Sequence, residues 1–169
     1  PETVASRGTT AKAIAASIHS PTSFASLLTG RYLPTHGVTG FDTRLPESLY
    51  SLFDAEWAET TFVNTIGSAG AEDPICDVLA LSDDARAATV PEELSEPFVL
   101  VERGQGGHAP YGGFEGSAHE YFDQRSRASL ETLRAEYASG VEADAETFLE
   151  RLDQLASAGL DSRTLVVYT

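Results

Sequence analysis

Pro97-Phe98-Val99-Leu100-Val101-Glu102-Arg103 is a continuous apolar run of strand length. A strand that hides one face alternates, whereas one apolar throughout hides both. That is the pattern of a strand in a parallel sheet with helices on either side. Arg163-Thr164-Leu165-Val166-Val167-Tyr168-Thr169 repeats the pattern, and Thr60-Thr61-Phe62-Val63-Asn64-Thr65-Ile66 predicts a third strand. Helical periods lie between them. Leu49, Leu52, Phe53 and Trp57 predict an amphipathic helix over 45–57. Residues 117–158 read as mostly helical: Leu130, Leu133, Tyr137 and Val141 mark one face, and Phe148, Leu149, Leu152, Leu155 and Ala156 another, with a break near Gly140 and a stop at Gly159. Strand, helix, strand, loop, helix, strand predicts an α/β fold with a mainly parallel sheet. Residues 1–8 read as a helix end, 9–18 as a strand or extended lead, 32–46 as a loop, and 67–96 as a polar surface insertion with a short helix around Ile75–Leu81.

The most structured short stretch is Ser20-Pro21-Thr22-Ser23-Phe24-Ala25-Ser26-Leu27-Leu28-Thr29-Gly30-Arg31. Ser20, Thr22 and Ser23 are N-cap types, Pro21 suits the first turn, and Gly30 suits the C-cap. Phe24, Leu27 and Leu28 predict one buried face. A helix start presents unpaired N–H groups to an anion. A hydroxyl placed there can attack a sulfuryl or phosphoryl centre. An ordinary capped helix reads the same way.

The chain's 169 residues suit one domain or most of one. Its net charge is −15, from 26 acidic and 11 basic residues, which argues against nucleic acid and anionic membranes as partners. Lys12 is the one lysine beside ten arginines. Acid excess with so little lysine is the composition expected of a high-salt cytoplasm, where salt screens the repulsion. No apolar run reaches transmembrane length and no signal peptide is visible. Cys76 is the single cysteine, so no intrachain disulfide forms, and it reads as a small buried residue.

Ser20 to Arg31 resembles the signature of the sulfatases within the alkaline phosphatase superfamily, in which a nucleophilic Cys, Ser or Thr leads to Leu-Leu-Thr-Gly-Arg. The following Thr35-His36-Gly37 and the loop motif His108-Ala109-Pro110-Tyr111 are similar to that family in type and order. The resemblance implies a three-layer αβα fold with a mainly parallel sheet, represented in part: residues 1–169 read as a single, incomplete sulfatase-like domain. It implies a hydrolase of small-molecule sulfate or phosphate esters. Ser20 is then the nucleophile, coordinated to a divalent metal (Ca, Mg, Zn or Mn) whose other ligands lie outside these residues. His108 contacts the transferred group or leaving oxygen, and Arg31, Thr22 and Ser23 line the substrate. Two departures count against a formylglycine at Ser20: Pro21 comes one residue early, and Phe24 stands where an arginine is usual. An unmodified Ser20 also fits a phosphatase or phosphoryl-transfer member, and a degenerate binding protein is a further alternative.

Overall fold

The structure is a computed structural model and describes residues 2–66, 72–91, 93–111, 114, 116–126 and 128–169. The chain forms two compact units, residues 14–104 and residues 105–169 together with the N-terminal residues to Ala13.

The first unit is built on a parallel sheet of three strands, β1 (Glu59–Asn64), β2 (Arg86–Ala87) and β3 (Phe98–Arg103), in the order β2-β1-β3. The expected α/β class with parallel strands is what the chain forms. β1 pairs with β3 from Glu59↔Phe98 to Asn64↔Arg103, and with β2 through Phe62↔Arg86 and Val63↔Ala87. As the central strand, β1 is buried from Thr61 to Asn64, which is where its β-branched and aromatic residues stand. β3 is half-buried rather than buried along Phe98–Glu102 because it is the outer strand of this sheet.

After the short α1 (Glu2–Ala5), α2 spans Ser20–Thr29 as predicted and ends at Gly30, whose φ of 65° is a left-handed cap that glycine adopts without strain. Its buried residues are Pro21, Thr22, Ala25 and Leu28, while Leu27 is exposed, so the hidden face is rotated from the predicted one. Phe24 meets Phe62 of β1 edge-on at 5.8 Å. α3 (Leu33–His36) follows within the predicted loop.

Two predicted elements take other forms. Residues 45–57 hold only a 3-10 turn, Leu52–Asp54, closed by a capping box between Ser51 and Asp54. Pro46 and the Ser51 cap cut the helical period short, so Leu49 and Phe53 reach the core while Leu52 and Trp57 stay exposed. The stretch read as a surface insertion supplies core instead: Ile75, Cys76, Val78, Leu79 and Leu81 join Ala25, Leu28, Val38, Leu45 and Phe62 in one cluster. Its short helix is real, α4 (Pro74–Val78), started by the Asp73 carboxylate accepting the Ile75 N–H at 2.8 Å. The acidic flanks disguised this core segment; Asp77 faces outward and pairs with Arg86 at 2.9 Å. Residues 67–71 and 92 of that stretch lie outside the described residues.

In the second unit, α5 (Ala118–Gln124) opens with a capping box between Ser117 and Glu120. α6 (Leu130–Ser157) runs 28 residues straight through Gly140, where a break was predicted. Arg163–Thr169 forms no strand: after a 3-10 turn over Asp161–Arg163 it stays extended with Leu165 and Val167 exposed. Tyr168 of this segment stacks on Phe148 of α6 at 4.4 Å. Residues 9–18 are likewise irregular, with Ile14 and Ile18 exposed.

No helix among the described residues is long and apolar enough to cross a membrane. The excess of 15 negative charges leaves a self-repulsion that dissolved salt relieves. Transfer from molar KCl to dilute buffer is therefore expected to lower the melting temperature by about 5 °C or more. Circular dichroism melts check this, and a melting temperature independent of salt contradicts it.

Candidate functional site

In sheets of this kind ligands bind beyond the carboxyl ends of the strands. Here β1 ends on Asn64 and β3 on its register partner Arg103, both buried. The Arg103 guanidinium pairs with Asp73 at 3.4 Å and lies over the Phe24 ring, 5.8 Å from its centre. Burial pulls its pKa below the usual guanidinium value, and Asp73 partly opposes that shift. The Arg103 carbonyl accepts both the N–H and the hydroxyl of Thr65 at 3.0 Å, closing the strand end. Sequence reasoning passed over this polar edge. Its one visible signal was the charged pair Glu102-Arg103 ending an otherwise apolar strand.

Phe24 ties α2 to that edge, and Ser20 opens the same helix one turn earlier. The N-cap is His19, not a hydroxyl residue, and its side chain makes no capping bond. Ser20 is the first helical residue and half-buried, and its hydroxyl has no hydrogen bond among the described residues. Thr22 is buried and donates its hydroxyl to the Val38 carbonyl at 2.9 Å, while Ser23 donates to the Ser17 carbonyl at 2.8 Å. Both hydroxyls thus fix the path of the chain into α2. Arg31 is exposed past the opposite end of the helix. The nine steps of 1.5 Å from Ser20 to Thr29 span about 14 Å, and Arg31 lies beyond that end, so the two are not brought together.

The histidines differ in what their ring nitrogens are free to do. His36 is buried, and its Nδ1 accepts the Val38 N–H at 3.1 Å. An N–H can only donate, so the proton sits on Nε2, which faces Ser26 Oγ at 2.9 Å. Both nitrogens are occupied, and burial lowers the His36 pKa below 6.5. The folded state therefore resists protonation: the stability this contributes is complete above the unfolded pKa and is lost as pH falls through the folded one. The urea midpoint is expected to drop between about pH 7 and pH 5, and the drop to shrink in His36→Phe. An identical pH dependence in the two proteins contradicts the assignment.

His108 belongs to the other unit, in the glycine-rich loop after β3. Its backbone N–H donates to the Gln105 carbonyl at 2.7 Å, and the Gln105 amide donates to the His108 carbonyl at 2.8 Å. Its Nδ1 faces the Ala109 carbonyl. A carbonyl can only accept, so Nδ1 carries the proton and the Nε2 lone pair of this exposed ring is left for another partner. Gly112 and Gly113, which close the predicted loop, lie outside the described residues.

The resemblance implied a divalent metal. Among the described residues no group of three or more His, Cys, Asp or Glu is gathered as a metal site, and the ligands that the resemblance implies beside Ser20 lie outside these residues.

No known family profile and no solved structure matches the chain. Over its whole length, aligned across 175 residues, it is 34% identical to the low-salt glycan biosynthesis sulfotransferase Agl7 of Haloferax volcanii. The chain spans 42% of that protein. This similarity corrects the sulfatase resemblance and the ester-hydrolase function drawn from it, together with the phosphatase alternative and the metal dependence that went with them. The relative is named for passing a sulfuryl group to an acceptor, whereas a sulfatase passes it to water.

Proposed function

We propose that this chain takes part in sulfuryl transfer to a hydroxyl group of a carbohydrate. The observation that carries this is the identity along the entire chain to a sulfotransferase of glycan biosynthesis. In such a step the acceptor oxygen forms a bond to sulfur, the bond from sulfur to the donor's leaving oxygen breaks with its electron pair, and the acceptor's proton must go to a base. His108 supplies that base, because its Nδ1 proton is held by Ala109 and its Nε2 lone pair is exposed.

Conversion of a methyl hexoside to its sulfate ester with an aryl sulfate as donor is the expected activity, and mass spectrometry that finds no sulfated sugar contradicts it.

A further inference from the structure

The face of α6 formed by Tyr137, Gly140 and Asp144 is in contact with the loop that bears His108. These positions fall at i, i+3 and i+7, one stripe along the helix. Gly106 is held from both sides of its residue. Its N–H donates to Asp144 Oδ1 at 3.2 Å, and its carbonyl would stand 2.9 Å from a Cβ at Gly140. Gly107 lies against the Tyr137 ring, where a Cβ would come within 3.0 Å, and its carbonyl accepts the Tyr111 hydroxyl at 2.9 Å. The other oxygen of Asp144 accepts the Tyr168 hydroxyl at 2.9 Å, with Tyr168 stacked on Phe148 one turn further along α6. That carboxylate therefore has its own orientation fixed: one oxygen is spent on Tyr168, and the other meets the backbone two residues before His108.

We propose that Asp144 is the positioning residue for His108, setting the direction of the imidazole through the Gly106 N–H, with Tyr168 fixing Asp144 in turn. This rests on the assignment of His108 as the base. Asn at this position keeps an oxygen for Gly106 and an amide facing Tyr168, whereas Ala keeps neither. A shift of about 1 Å in a reacting group costs about 10²-fold in rate.

The test uses the native protein with three variants, Asp144→Ala, Asp144→Asn and His108→Gln, assayed for transfer from an aryl sulfate to a methyl hexoside. Hydrogen exchange at the Gly106 amide is read in parallel by NMR. Asp144→Ala is expected to speed exchange at Gly106 and to lower kcat about 10²-fold with donor KM unchanged. Asp144→Asn should restore most of kcat. His108→Gln should lower kcat while leaving Gly106 exchange slow. Unchanged exchange in Asp144→Ala overturns the proposal whatever the activity. Faster exchange with kcat intact, when His108→Gln is impaired, overturns it while leaving the base assignment standing. If His108→Gln retains full kcat, the base assignment fails and the positioning role falls with it.

Discussion

His108→Gln is expected to lower kcat for sulfuryl transfer by about 10³-fold, within the range for loss of a positioned general base. Glutamine matches the side chain's reach and can still hydrogen-bond, but it cannot take up a proton at neutral pH. The side chain is exposed and, among the described residues, its ring bonds only the neighbouring Ala109 carbonyl, so the fold should be unaffected. A loss of only a few-fold contradicts the assignment.

The largest expected effect on stability comes from Phe62→Ala. Phe62 is fully buried in the central strand, with Phe24 edge-on at 5.8 Å and Phe53 at 6.1 Å. Deleting the ring removes its transfer free energy and leaves a cavity under both partners, about 3–5 kcal/mol in all. Urea unfolding should show this as a lower midpoint at unchanged slope. A loss below about 1 kcal/mol would mean that Phe62 is not central to the core.

The parts of this fold legible in the sequence are those fixed by local chemistry. α2 was readable because Pro21 and Gly30 bracket an apolar period, and β1 because Thr60 to Val63 is dense in β-branched and aromatic residues. The parts that misled depend on neighbours the sequence does not display. Leu165 to Tyr168 has the composition of a buried strand, but a strand needs an adjacent edge, and here Tyr168 is claimed by Phe148 and Asp144. Ile75 to Leu81 sits among acids, yet its apolar residues fill the core. Gly140 looked like a helix break, but it is a point where a loop carbonyl approaches α6.

The candidate site was less legible. Ser20 and the His108 loop resembled a sulfatase, and the similarity to a sulfotransferase overturns that reading. Arg103, Asn64 and Asp144 escaped notice because their roles come from register and from contacts between distant residues.

The most direct test of sulfuryl transfer is the fate of the sulfuryl group. The native protein in molar KCl is given an aryl sulfate and, in a parallel reaction, a phosphosulfate anhydride, each with a methyl hexoside as acceptor, and the products are read by mass spectrometry. Sulfated hexoside formed in step with donor consumption is the predicted result. Consumption of either donor to free inorganic sulfate, with no sulfated sugar, contradicts it.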